Sequence, residues 1–233
     1  MRKLLLLFTV PVLPFSLATE YLYARTGVLK DLFVPVLGLL ALFLVSLGAP
    51  EAGGLLKFLA VVTSLVYTLR LLVVEELLGW VFMYYLSVAP LAWLKPEQML
   101  MYLVAFLFPL SALTFLLLHL KRLAGTAHAR AVSGTAEYMP VWSFLTFTAL
   151  IASLAVAPAY TFFALYNVVA SYGLPLALLI LLEWVLWNWS GFKLFSAVLF
   201  GRPREDFRYE DVGSELAFPI FFLLLVVFIL PLF

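Results

Sequence analysis

The chain has 233 residues, of which 66% are apolar and only 12% charged, with a mean hydropathy of +1.13. A soluble domain is roughly half apolar, so this composition excludes one and points to an integral membrane protein. The net charge of +1 gives no reason to expect a nucleic-acid partner, and the absence of cysteine removes disulfides, thiolate metal sites, iron–sulfur ligation and cysteine nucleophiles.

Apolar runs of about 18 residues or more are long enough to cross a ~30 Å hydrocarbon core as helices, and the alternation that a barrel needs is missing. The predicted fold is therefore all-α: one polytopic transmembrane helix bundle over residues 1–233, of about seven spans, with eight as the alternative and with discontinuous helices possible in principle. The opening "MRKLLLLFTVPVLPFSLATEYLYA" has the basic start, apolar stretch and small residues of a secretory signal, but an uncleaved first span over 4–24 is the reading adopted. Further spans are predicted over 32–49, 55–94, 99–120, 140–163, 173–200 and 216–233.

The run 55–94 is too long for one simple span, because 40 helical residues reach ~60 Å, so something must break inside it. The basic residues bear on how. Seven crossings put Arg2, Lys3, Lys57, Lys121, Arg122, Arg130, Arg202, Arg204 and Arg208 on one side and Arg25, Lys30 and Lys95 on the other. That asymmetry favours a cytoplasmic N-terminus in the cell membrane and one discontinuous or strongly tilted segment over 55–94.

A charge facing lipid costs at least ~2.5–3.5 kcal/mol on insertion scales, so ionisable residues at membrane depth are functional candidates. Here they are Arg70, Glu75, Glu76, Glu183 and Lys193, with Asn167 and Asn188 as neutral polar groups. Each has a simpler reading: Arg70 pairs with a glutamate of its own segment, Lys193 snorkels to the interface, and His119, beside Lys121 and Arg122, lies at a helix end. Glu183 stands out because it lies ten residues into the run that starts at Gly173, ~15 Å along a helix and near the bilayer centre. A carboxyl group there must be paired, face an internal water path or be protonated. In "LLEWVLWNWSGFKLF" (181–195), Trp187, Asn188 and Trp189 fit either an interfacial belt or a helix opened locally against protein. No cofactor is expected: the only histidines, His119 and His128, fall at or beyond a helix end in one short stretch, which supports haem binding poorly and rules out two bis-histidine haems.

Two resemblances appear. Glu75 and Glu76 followed by "FLLLH" (115–119) resemble part of the CAAX-type intramembrane protease pattern, but Trp80 stands where that pattern has arginine and no histidine follows His128. The second runs along the chain in order. "TLRLLVVEELLGWVFMYYL" (68–86), "KPEQMLMYLVAFLFPLSALTFLLLHLKRLAGT" (95–126), "SGTAEYMPVWSFLTFTALIASLAVAPAYTFF" (133–163) and "LFGRPREDFRYED" (199–211) resemble successive stretches of the antiporter-like membrane subunits of respiratory complex I, membrane-bound hydrogenases and Mrp-type cation/proton antiporters. The similarity covers about residues 55–233 and corresponds to the C-terminal part of such subunits.

What this second resemblance implies is a non-catalytic integral membrane subunit of a redox-driven ion-translocating or cation/proton antiport complex, with other membrane subunits and the lipid bilayer as partners and any redox cofactor held elsewhere. The family's lysine in the second motif corresponds to Ser111 here, and its later lysine or glutamate falls near Tyr166. Neither hydroxyl carries a proton charge near neutral pH, so the usual relay is broken and Glu183, Glu75, Glu76, Lys193 and Arg70 are the candidates left for a proton or ion pathway. A small transporter acting alone and a degenerate CAAX-type protease are the alternative functions.

Overall fold

In the computed structural model, which describes residues 2–203 and 207–232, every regular element is helical. In chain order the α-helices are α1 (Arg2–Thr9), α2 (Phe15–Arg25), α3 (Phe33–Ser46), α4 (Gly54–Leu71), α5 (Leu77–Val88, continued as a 3-10 turn over Ala89–Leu94), α6 (Met99–Ala124), α7 (Thr135–Tyr138), α8 (Pro140–Ser153), α9 (Tyr160–Val169), α10 (Leu174–Phe200) and α11 (Ser214–Ile229). Among the described residues, Gly54–Leu71, Leu77–Leu94, Pro96–Ala124 and Leu174–Phe200 are each long and apolar enough to cross a membrane, and α8, α9 and α11 are shorter apolar helices. The chain is a multi-pass membrane protein. Arg204, counted above among the basic residues, lies outside the described residues.

The long run 55–94 is not one tilted segment. It is a hairpin of two helices, α4 and α5, that turn at residues 72–76 and pack side by side. Glu75 and Glu76 fall in that turn, so they lie at the end of the bundle and not at mid-depth as the sequence suggests. The physical reason is polar: a turn that carries two carboxylates belongs where water reaches it, and Glu75 is 48% exposed.

The breaks in helices lie elsewhere, in the first and fifth predicted spans. Between α1 and α2, Pro11 and Pro14 lack amide protons, so the helix cannot continue through 10–14. Its freed groups are met from neighbouring helices. Trp93 Nε1 donates to the Val10 carbonyl at 2.9 Å, the Tyr85 hydroxyl to the Thr9 carbonyl, and the Leu13 amide to Thr63 Oγ1 at 2.8 Å. Between α8 and α9, the Leu154 carbonyl accepts from Trp184 Nε1 at 3.0 Å and Asn188 Nδ2 at 3.3 Å, while the Tyr84 hydroxyl reaches the Ser153 carbonyl at 2.6 Å. Irregular backbone survives at depth only when protein groups satisfy it in this way. The tryptophan-rich stretch 181–195 accordingly neither opens nor ends a helix; it lies inside the continuous α10 and supplies two of these donors.

Contacts between loops define the two ends of the bundle. At one end Lys121 pairs with Asp31 at 2.7 Å, Arg130 with Glu75 at 2.5 Å, and Ser133 donates to the Arg202 carbonyl at 2.5 Å. At the other, Lys3 donates to the Glu51 carbonyl at 3.2 Å, Lys57 sits 6.0 Å above the Tyr172 ring, and Lys95 donates to the Asn167 carbonyl at 3.3 Å. The pair Lys121–Asp31 overturns the sequence-based division of basic residues, which puts these two loops on opposite sides. Arg25 and Lys30 join the 121–139 loop's end because the 55–94 hairpin adds a crossing between them.

Of the charged stretch 199–211, the described part is a strap. The Asp211 carboxylate accepts from the amides of Val141 at 2.9 Å and Trp142 at 2.8 Å, capping the start of α8 with a negative charge where the helix dipole favours one. The Glu210 carbonyl lies 3.0 Å from His119 Nε2, and the Tyr209 hydroxyl donates to the Ser133 carbonyl at 2.8 Å.

Candidate functional site

Helices α4 and α10 run parallel and meet face to face beside the buried helix α5. Ser64, Thr68 and Leu71 on α4 oppose Glu183, Trp187 and Ser190 on α10, each pair 119 residues apart in sequence. The spacing i, i+4, i+7 keeps all three positions of each helix on one face. Three polar rungs result. In the deepest, Ser64 Oγ donates to Glu183 Oε2. In the second, Thr68 Oγ1 and Ser87 Oγ of α5 lie 2.7 Å apart, Trp187 Nε1 is 2.7 Å from both, and Ser87 Oγ reaches back to the Ser64 carbonyl at 3.4 Å. In the third, Trp80 Nε1 donates to Ser190 Oγ at 2.6 Å and Ser190 Oγ to the Leu71 carbonyl at 3.2 Å.

Every side chain of this ladder is at least 96% buried, Glu183 completely so. Aromatic rings wall it: Trp80 stacks on Tyr84 with centroids 5.1 Å apart, and Tyr84 meets Trp187 edge-on at 5.5 Å. The third rung opens outward, because Leu71 and Ser190 also line a cleft of about 610 Å³ at the Glu75 end of the bundle. At the deep end, Glu183 Oε1 is buried with no hydrogen-bond partner among the described residues. An orphaned buried oxygen is rare.

The other sequence candidates lie apart from this ladder. Arg70 pairs with Glu20 of α2 at 2.5 Å, a different helix from its own, and is 42% exposed. Glu75 holds Arg130 at 2.5 Å and stands 3.6 Å from His128. Glu76 begins α5, where its charge favours the helix N-terminus. Lys193 is exposed, and its ammonium has no hydrogen-bond or ion-pair partner among the described residues. Ser111 is half-buried on α6, and Tyr166 is 59% exposed on α9, with its ring stacked on Phe162. Neither forms a hydrogen bond with the rungs among the described residues. Glu75 and His119 share no cluster: among the described residues no group of three His, Asp or Glu side chains is placed to hold a metal ion.

Sequence reasoning singles out Glu183 but misses Ser64, Thr68, Ser87 and Ser190. A signal for Ser64 and Thr68 is present, since hydroxyl side chains at four-residue spacing on an apolar helix mark a protein-facing stripe. Reading it requires knowing which helix supplies the partner.

No family model matches the chain. An uncharacterized protein of Aquifex aeolicus (strain VF5) is 43% identical over 231 residues, covering 99% of both chains. This chain belongs to the family of that protein. Solved structures that share its fold include chains of respiratory complex I from Thermus thermophilus with bound aureothin (TM-score 0.73, 16% identity) and with bound NADH (TM-score 0.76, 18% identity). Each covers 97% of this chain, and the chain spans about half the length of each, 55% and 53% respectively. At these identities the likeness establishes a shared helical fold.

Proposed function

We propose that the chain is a non-catalytic membrane subunit of a multisubunit redox-driven ion-translocating or cation/proton antiport complex of the cell membrane, with residues 55–233 corresponding to the C-terminal part of an antiporter-like subunit. The observation that carries this reading is that 97% of the chain aligns with half of a respiratory complex I chain at TM-scores of 0.73 and 0.76. Within it, Glu183 is the central ionisable group of a proton pathway that the two outer rungs connect to the cleft at the Glu75 end. Ser111 and Tyr166 have no part in that pathway, and Lys193, Arg70, Glu75 and Glu76 serve at its outer end or in packing. Purification of the tagged chain in mild detergent tests the assignment. Recovery with other integral membrane subunits of a redox or antiport complex is the expected result. A chain recovered alone that moves ions after reconstitution would replace this reading with an independent transporter.

The reading uses eight crossings, two of them the broken passages α1–α2 and α8–α9. Arg25, Lys30, Lys121, Arg122, Arg130, Arg202 and Arg208 then share one side, against Arg2, Lys3, Lys57 and Lys95 on the other. With positive loops inside, the N-terminus is external, the reverse of the orientation that seven spans imply. What supports it is the Lys121–Asp31 pair, which joins the loops after the first and fifth crossings. The chain has no cysteine, so single introduced thiols report cleanly. In intact cells a membrane-impermeant maleimide is expected to label Glu51→Cys and to spare Arg122→Cys. The opposite pattern would reverse the orientation.

Because Ser111 lies off the ladder, Ser111→Ala is expected to alter ion translocation of the assembled complex by less than about twofold. A tenfold loss, ~1.4 kcal/mol in a barrier, would put this serine on the pathway.

A further inference from the structure

Two hollows meet at Lys193. On its inner side is the cleft of about 610 Å³, where Glu75, Arg130 and Ser133 provide polar walls and Leu194 and Ala197 an apolar floor. On its outer side a groove of about 620 Å³ runs along α10 past Val185, Trp189, Phe192 and Ser196. Positions 185, 189, 192 and 196 repeat at four- and three-residue intervals, so the groove is a single stripe along the outer face of the helix, leading from Lys193 toward the level of Glu183. Its large side chains are open: Trp189 is 68% exposed, Val185 54% and Phe192 40%. Val73, on the lip of the cleft, is 80% exposed.

The charges are arranged for an anion. Arg130 spends one of its amino groups on Glu75 and is otherwise 78% exposed, with no other side-chain partner for its five N–H donors among the described residues. Lys193 presents three donors and has no partner among the described residues. An ammonium that merely snorkels has no need of a second cation across a shared cleft, nor of an aromatic groove below it.

We infer that Lys193 and Arg130 bind the phosphate of an anionic phospholipid in the cleft, with one acyl chain lying in the Val185–Trp189–Phe192 groove. Basic pockets between membrane helices on the cytoplasmic side are suited to such head groups. Charge complementarity selects the head group, and the contiguous apolar groove selects a lipid over a tailless anion. The inference uses the membrane orientation proposed above but not the ion pathway.

The test uses the full chain exchanged into nanodiscs of equal phosphatidylglycerol and phosphatidylcholine, then released gently for native mass spectrometry of retained lipid. The wild type is expected to retain phosphatidylglycerol at least tenfold over phosphatidylcholine. Lys193→Gln combined with Arg130→Gln is expected to abolish that preference, while Lys193→Arg keeps it and shows that the fold is intact. Trp189→Ala, with both cations present, is expected to weaken retention of long-chain lipid while leaving short-chain phosphatidylglycerol unaffected. Equal retention of the two lipids by the wild type, or an undiminished preference in the double variant, would overturn the inference. So would displacement of the lipid by millimolar inorganic phosphate, which would mark a free-anion site, or crosslinking of Lys193 to an acidic segment of a partner subunit in the complex. Since the readout is lipid retention, failure here leaves ion translocation and co-purification to judge the proposed function separately.

Discussion

Glu183→Gln is expected to leave the complex assembled while lowering any proton translocation through this subunit by tenfold or more, ~1.4 kcal/mol or more in the barrier. The substitution keeps the size of the side chain and an oxygen that can accept from Ser64 Oγ, so the deepest rung and the packing of α10 on α4 persist. It removes the one carboxyl group on the ladder, since the hydroxyls of Ser64, Thr68, Ser87 and Ser190 and the indoles of Trp80 and Trp187 do not ionise in the physiological range. Complete burial sharpens the contrast, because no water is at hand to replace the group that the substitution removes. The measurements are assembly on a native gel and ion translocation in the same membranes. Unchanged translocation would reduce Glu183 to a structural acceptor for Ser64. Failed assembly would give it a packing role.

The membrane class and the helical fold are legible from hydropathy alone, because the cost of unsatisfied backbone in lipid leaves few other solutions. The place of Glu183 inside a long apolar helix is legible as well: it lies within α10 and is completely buried. The hairpin at 72–76 is not. Leu72, Val73 and Val74 look like the middle of a span, and the two glutamates after them read equally as an intramembrane pair or as a turn. Counting basic residues selects the wrong path through this region, because the count assumes which loops share a side and the Lys121–Asp31 pair shows a different grouping. The two true breaks carry their own marks, prolines at 11, 14 and 158, yet proline also occurs inside the unbroken helices α6 and α11 at Pro109 and Pro219. What separates these cases is tertiary: Trp93, Tyr85, Trp184 and Asn188 arrive from other helices to take up the freed carbonyls. The ladder fails to appear in the sequence for the same reason, as its rungs join residues 119 positions apart.

Replacing Trp187 by alanine is expected to produce the largest loss of stability on the ladder, ~3–5 kcal/mol, against ~1–2 kcal/mol for Trp187→Phe. The indole is completely buried between α4, α5 and α10 and packs against Tyr84 at 5.5 Å. Alanine leaves a cavity the size of two fused rings at the point where three helices meet, and parallel neighbours tied at three rungs have little freedom to collapse into it. Phenylalanine refills most of that volume and removes only the N–H. The two hydroxyls it served, Thr68 Oγ1 and Ser87 Oγ, still satisfy each other at 2.7 Å, so no buried polar group is orphaned and the cost stays near that of one hydrogen bond. Trp189→Ala is the control two residues away. That side chain is 68% exposed on the outer face of α10, and its loss is expected to change stability little. Thermal unfolding of the detergent-solubilised protein should therefore rank wild type and Trp189→Ala together, Trp187→Phe below them and Trp187→Ala lowest. If phenylalanine proves as damaging as alanine, the hydrogen bonds of the second rung outweigh its packing. If Trp187→Ala matches Trp189→Ala, the α4–α10 seam is held together by something other than this ring.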